Sequence, residues 1–293
     1  MFGFNALRSN ERGIVGVLTE ERLVLYDSSL APVCQFSGLG RAQCFGVAGN
    51  ALVLFEESQV TVMEQRDPRE AAQWHRVLCV SLTWLAHDCS VAVRGDEVTV
   101  MAASVVGVHV WKLDRGKKSV KESQLLQGRS AVAVQLSSRF AAAATTDGHV
   151  AIWDRHEQPA AGAFVWFAES GLRICSLQFS SDETQCAAVC WDGSGALFAH
   201  RAAEGWAVAR LFSSPLLFSS WHSARPGNPA LCVFGVDNVL HVLYRGGLKS
   251  HGQEGMNARW ISRFADFEGF CRLDSGRSVA LEREGMTLRI IKV

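Results

Sequence analysis

The stretch Asp147-Gly148-His149-Val150-Ala151-Ile152-Trp153-Asp154 decides how the rest of the chain reads. Asp-Gly is the strongest short hairpin signal in the sequence, because Gly accepts the positive φ a tight turn demands. The apolar run that follows reads as a strand. Degraded copies are Gly107-Val108-His109-Val110-Trp111-Lys112-Leu113-Asp114 and Asp192-Gly193-Ser194-Gly195-Ala196-Leu197-Phe198, with fainter ones ending near Tyr26, Met63, Leu243 and Ile291. The copies are spaced 37 to 48 residues apart. A period of that length, with several short strands in each unit, marks a ring of radial sheets, a β-propeller.

Working outward, one unit shows the logic. Ala131–Leu136 reads as an inner strand, Ser137-Ser138-Arg139 as a turn, and Phe140–Thr145 as an Ala-lined second strand that lets neighbouring units approach. Val150–Asp154 is then the third strand and Phe164–Phe167 the outer one. The next unit repeats the order with Leu172–Phe179, Gln185–Cys190, Ala196–His200 and Trp206–Leu211. Helical periodicity is nearly absent. The expected fold is all-β: a single seven-bladed propeller of four-stranded antiparallel blades over residues 1–293, six blades being the alternative count. Approximate blades are 1–38, 39–85, 86–128, 129–170, 171–213, 214–264 and 265–293.

The strand count falls one short. Before the first third-strand copy (Arg22 to Asp27) there is room for two strands, Phe2–Leu7 and Gly13–Leu18, and after the last copy (Met286 to Val293) the sequence stops. Either Phe2–Leu7 completes the last blade as a clasp and the first blade lacks an inner strand, or the last blade has three strands; an exposed strand edge invites pairing with another chain.

Composition narrows the class. Lys plus Arg (29) equal Asp plus Glu (29), so no whole-molecule attraction to nucleic acid or an anionic membrane is expected. The nine cysteines are odd in number and irregular in spacing, with no CxxC, which reads as reduced thiols used as small apolar fillers in the cytoplasm or nucleus. No secretory leader and no membrane-length apolar run is recognised, so membrane insertion is not expected.

At Asp147–Asp154, ending in Trp153-Asp154, the sequence resembles a WD40 repeat, with partial matches at Asp192-Gly193 and Trp111. The resemblance implies a β-propeller that serves as a rigid platform for protein assembly, some relatives reading RNA, peptides or lipids. It also implies a Gly-His pair before the inner strand, linked to the Asp and Trp. The junction here is Gln127-Gly128-Arg129, without His, so packing is expected to do more of the holding. The Trp-Asp-x-Arg of ubiquitin-ligase receptors is not matched, because Arg155 comes one position early.

No motif for catalysis, cofactor or metal emerges; GxSxG, HExxH, GxxxxGK[ST] and GxGxxG are all absent. Trp153 and Trp111 are expected to pack between blades. Cys175, Cys186 and Cys190 share one predicted hairpin but lack an evident fourth zinc ligand, so they read as apolar filler. His87-Asp88-Cys89 reads as a turn before a strand. The polar connections Glu64–Gln73, Asp114–Ser123, Asp154–Gly162 and Arg245–Ala258 all join third to outer strands and so emerge on one face. The first holds Asp67-Pro68-Arg69-Glu70, which reads as one helical turn. The second holds the densest basic cluster: Lys112, Arg115, Lys117, Lys118 and Lys121.

The functional expectation is a non-catalytic scaffold subunit of a multiprotein complex. It docks proteins through this loop-bearing face and the unfinished last blade, using Lys117, Lys118, Arg245, Lys249 and Trp166. The alternatives are an RNA-binding subunit of a ribonucleoprotein, and a propeller enzyme with a small-molecule site in the central channel. No cofactor and no DNA is expected.

Overall fold

The computed structural model describes residues 7–9, 14–18, 22–27, 29–39, 42–65, 73–117, 119–155, 164–167, 174–180, 182–190, 194–201, 205–213, 216–225, 228–235, 239–244, 259–263, 267–272, 278–284 and 287–292. These form seven antiparallel sheets whose strands lie side by side in chain order. The first holds Leu7–Ser9 (β1), Val15–Leu18 (β2), Arg22–Tyr26 (β3) and Pro32–Ser37 (β4). The second holds Cys44–Ala48 (β5), Ala51–Phe55 (β6), Gln59–Gln65 (β7) and Trp74–Ser81 (β8). Ala86–Arg94 (β9), Glu97–Ser104 (β10), Gly107–Asp114 (β11) and Ser119–Leu125 (β12) make the third. The fourth is Ala131–Leu136 (β13), Phe140–Thr145 (β14), His149–Asp154 (β15) and Phe164–Phe167 (β16). The fifth is Ile174–Phe179 (β17), Gln185–Cys190 (β18), Ser194–Arg201 (β19) and Gly205–Ser213 (β20). Leu216–Arg225 (β21), Asn228–Gly235 (β22), Val239–Tyr244 (β23) and Arg259–Arg263 (β24) form the sixth, and Phe267–Arg272 (β25), Ser278–Glu284 (β26) and Thr287–Lys292 (β27) the seventh.

The first strands of successive sheets touch in sequence, from β1 through β5, β9, β13, β17 and β21 to β25, and β25 in turn touches β1. The sheets therefore close into a ring, and the all-β seven-bladed propeller read from the sequence is what the chain forms. The seventh blade has three strands among the described residues. The clasp alternative fails where it can be seen: Leu7 to Ser9 pair with Val17 to Val15 as the inner strand of the first blade. Phe2–Ala6, the remainder of that segment, lies outside the described residues.

The second strands of the second, fourth and fifth blades are buried on both faces, because a blade is sandwiched between two others. β14 (FAAAAT) and β18 (QCAAVC) are buried at every position. Small side chains suit such strands, since the spacing between blades is set by what stands between them. One apolar layer fills each described gap between blades. Between the second and third lie Phe55, Val60, Val62, Val98, Val100, Trp111 and Leu113. Between the third and fourth lie Met101, Val110, Val134, Ala143 and Trp153. Trp111 and Trp153 thus pack between blades. Glycine marks the closest approaches: a Cβ on Gly46 would sit 2.6 Å from Val91 Cγ2, and one on Gly16 2.4 Å from the Phe45 ring.

The turns follow their chemistry. Thr145–Gly148 is closed by Gly148 N–H donating to Thr145 O at 3.0 Å, with Gly148 at φ 87°. In the fourth and fifth blades the serine after the inner strand closes the next turn with its hydroxyl: Ser137 Oγ accepts Phe140 N–H at 2.8 Å, and Ser180 Oγ accepts Gln185 N–H at 3.0 Å.

Two local expectations are corrected. Asp114–Ser123 is not a long loop, because β12 begins at Ser119 and pairs with β11 from Asp114 onward. The Asp114 carboxylate accepts Lys117 N–H at 2.9 Å and so nucleates a tight turn. His87-Asp88-Cys89 is not a turn but lies inside β9. Asp88 tolerates burial there because its carboxylate accepts Cys89 N–H at 2.8 Å and, from the next blade, Val134 N–H at 3.0 Å. The helical turn expected at Asp67–Glu70 lies outside the described residues.

Candidate interaction surface

Antiparallel order places every third-to-outer connection, and every turn after an inner strand, at the same end of the blades. On this face a polar residue just beyond the third strand reaches toward the preceding blade. Arg115 Nε lies 2.5 Å from Glu64 Oε1, and its NH2 donates to Asn50 Oδ1 at 2.7 Å, both on the second blade. Arg155, 5% exposed, holds the equivalent place one blade on. Its NH1 donates to Ser137 O at 3.0 Å and its NH2 to Thr99 Oγ1 on the third blade, with Glu97 Oε1 at 3.4 Å. The backbone confirms the equivalence: Arg115 N–H bonds Asp96 O, and Arg155 N–H bonds Arg139 O, both at 2.9 Å. Burial pulls the Arg155 guanidinium below its usual range, Glu97 acting against it and Arg94 with it. The next junction is bridged differently, by Ser138 N–H donating to Glu183 Oε1 at 2.6 Å.

These latches rearrange the basic cluster. Arg115 is committed to Glu64. Lys112 and Lys121 stand on paired strands, directly opposite one another. Lys112 is half-buried, and its Nζ lies 3.4 Å from Arg155 O. Lys117 remains at the tip, 82% exposed, with Nζ 3.5 Å from Asp114 Oδ2. The cluster is therefore not one loop of free cations. Of the other expected contacts, Trp166 lies on β16, opposite Val150 and beside an irregularity in the pairing. Lys118, Arg245 and Lys249 lie outside the described residues. Lys117 and Trp166 stand on different blades and are not brought together.

Sequence reasoning missed the latches. The available signal was the recurrence of Asp-Arg just past the strand, Asp114-Arg115 and Asp154-Arg155.

At the opposite end of the blades, Asp147 gathers the Thr145 hydroxyl, His149 Nδ1 at 3.1 Å and Arg129 NH1 at 3.3 Å. The Thr145 hydrogen bond, then His149 and Arg129, hold its carboxyl below the usual range, with burial acting the other way. Arg129 thus meets Asp147 from the junction that lacks His, but from the solvent side. Trp111 Nε1 stays buried with no hydrogen-bond partner among the described residues.

Among the described residues no group of three or more His, Cys, Asp or Glu is placed to hold a metal ion. Cys186 and Cys190 are buried in the apolar layer between the fourth and fifth blades, and burial pushes the Cys186 thiol far up. No helix among the described residues is long and apolar enough to cross a membrane.

No protein-family model matches the chain, and no curated protein matches it. Its likeness is to solved structures. It is similar to the beta-propeller domain of Cps50 (Swd1) from Myceliophteria thermophila, at 13% identity and a TM-score of 0.67, over 98% of this chain and 95% of that one. It is also similar to hydrazine synthase of Kuenenia stuttgartiensis, at 10% identity and a TM-score of 0.69, over 100% of this chain and 96% of that one. At these identities the likeness is one of fold: the chain is a β-propeller.

Proposed function

We propose that this propeller is a non-catalytic scaffold subunit that docks other proteins through its latched, loop-bearing face and through the edge of its seventh blade. The observation that carries the reading is β27. Among the described residues it pairs with β26 alone, so its other side presents main-chain donors and acceptors without a strand to take them. An extended segment of a partner adds to such an edge by main-chain hydrogen bonds. The face beside it supplies charge, with Lys117 exposed, and Lys118, Arg245, Lys249 and Trp166 proposed as further contacts.

The test is capture of partners from native extract, with Arg289→Pro and Ile290→Pro as variants. Successive N–H groups on a strand point alternately toward and away from β26, so one of the two prolines removes only an outward donor. That variant is expected to keep its thermal midpoint and lose the partner recovered by the wild type. Retention of the partner by both variants, or no stoichiometric partner on the wild type, would defeat the reading.

RNA binding loses support from the committed state of Arg115 and the half-burial of Lys112. An enzymatic reading draws on the hydrazine synthase likeness, but a shared fold at 10% identity does not carry an activity across. The odd number and irregular spacing of the nine cysteines, with no CxxC, support a reducing compartment, the cytoplasm or nucleus.

A further inference from the structure

The face opposite the latches carries a feature that scaffold docking through β27 does not use. Six large apolar side chains are exposed among the described residues, and three of them converge at one place: Leu85 at 49%, Val105 at 54% and Val106 at 42%. Leu85 immediately precedes β9, and Val105-Val106 form the turn between β10 and β11. Because Ala86 pairs with Ser104, Leu85 and Val105 are neighbours across the sheet end. The other three exposed residues, Val77, Val120 and Val208, are scattered singly on outer strands. Single exposed apolar residues are ordinary, whereas a converging set in a turn, where polar residues are cheaper, points to an interface.

The turn is held open to solvent by design of its backbone. Gly107 sits at φ 137°, with Leu125 O only 2.8 Å from where a Cβ would stand. Ser104 Oγ donates to Gly107 O at 3.1 Å and accepts Val106 N–H at 3.2 Å, and Gln124 Nε2 donates to Val106 O at 2.9 Å. Val105 and Val106 are therefore presented on a fixed loop. Beside Leu85, Trp84 is half-buried and lies flat on His109, centroids 3.9 Å apart at 19°. His109 stacks in turn near Trp111 at 5.9 Å, so the floor next to the patch is rigid and aromatic.

The charges around this floor are acidic. Glu122 Oε1 lies 3.8 Å from His109 Nδ1, with its side chain 54% exposed. The turn bearing Glu56 and exposed Glu57 adjoins the Trp84 segment, since Leu82 N–H donates to Ser58 O at 2.8 Å. On the far side, Arg129 is matched by Asp147 at 3.3 Å. An apolar shelf with acid on one flank fits one chemistry.

We infer that Leu85, Val105, Val106 and Trp84 form a second docking site, and that its occupant is a segment of another protein carrying apolar side chains interleaved with Lys or Arg. The apolar groups cover the valines and Leu85, and the cations meet Glu57 and Glu122. The site is on the face opposite Lys117, so the scaffold binds two partners without competition between them.

The probes are a labelled synthetic peptide of alternating leucine and lysine and its leucine–glutamate counterpart, titrated against the full chain. The lysine peptide is expected to bind at least tenfold more tightly than the glutamate one. V105D with V106D, both on a solvent-facing turn, is expected to loosen it tenfold or more with an unchanged thermal midpoint. E57K with E122K is expected to loosen it severalfold and to narrow the difference between the two peptides. Equal binding of the two peptides to the wild type, or binding indifferent to V105D with V106D, would overturn the site. A wild-type dimer in sedimentation that these substitutions dissolve would overturn it too, by making a second copy the occupant. None of these variants touches β27, so failure here leaves the edge-docking reading standing, and the reverse.

Discussion

Arg155 shows how much a single side chain carries at a blade junction. Its guanidinium is shut away from solvent and satisfies Ser137 O and Thr99 Oγ1 from two blades at once. Arg155→Ala would leave Ser137 O buried without this donor and cost Thr99 Oγ1 one of its bonds, the other, to Glu97 Oε1, remaining; the expected cost is about 3 kcal/mol, read as a lower urea midpoint. Arg155→Lys should recover little of it, because an ammonium cannot reproduce the planar fork. His109 gives a second outcome, in pH. Burial pushes its imidazole below the ordinary value, with Glu122 partly offsetting. The unfolded chain therefore takes up the proton first, so the stability is fully present above the unfolded pKa of about 6.5 and is lost as pH falls from there through the folded value. His200 is displaced the same way, by burial first and Arg139 second, and acts in parallel. His109→Phe should retain part but not all of the wild-type loss between pH 7.5 and pH 5 in urea titrations. An undiminished loss would show that His109 is not the group responsible. Neither residue was legible in the sequence. A motif search sees Arg155 only beside Trp153, while its partners Thr99 and Glu97 lie more than fifty positions away on another blade.

Strands were far more legible than side-chain partners, for a reason visible in the fourth blade. Ala131–Leu136, Phe140–Thr145 and Phe164–Phe167 were read with the bounds they have, because turn chemistry punctuates them at Ser137-Ser138-Arg139 and Asp147-Gly148. β12 was misread because Ser-Val-Lys-Glu-Ser-Gln is polar. Outer strands face solvent, so their burial pattern, exposed from Ser119 through Glu122, looks like a loop in one dimension. His87-Asp88-Cys89 failed in the opposite direction: a turn-favouring Asp is held in a strand by Val134 N–H, a donor from the neighbouring blade. At this scale the gaps between blades are the sensitive quantity. Gly46→Val would drive branched carbons into Val91 and force β5 and β9 apart. The expected cost is about 2 kcal/mol, as a drop in thermal midpoint. Gly46→Val combined with Val91→Ala should recover a good part of it, since the added and removed volumes lie in the same place. No recovery in the double variant would mean that the close approach at Gly46 does not set the blade spacing.

Closure distinguishes this molecule from an open stack of the same units. In an open array, stability is close to a sum of unit and neighbour terms, and removing an end unit forfeits one interface. Here β25 lies against both β21 and β1, so the seventh blade holds two interfaces although it has three strands among the described residues. The contact between β25 and β1 joins the first and last sheets of the ring, and among the described residues no strand crosses from the N-terminal sheet to fasten it. Deleting residues 265–293 would therefore remove both of these interfaces at once. The truncated chain is expected to lose its single sharp urea transition and to bind a hydrophobic dye, rather than unfold cooperatively with an m-value reduced only in proportion to the surface removed. Proportional behaviour would mean that the seventh blade is an appended unit and that the remaining six hold together without it. In the closed case, a partner strand added to β27 would strengthen the blade on which ring closure depends. Docking at that edge and stability of the whole disk would then be thermodynamically linked, and saturating partner should raise the melting temperature of the intact chain.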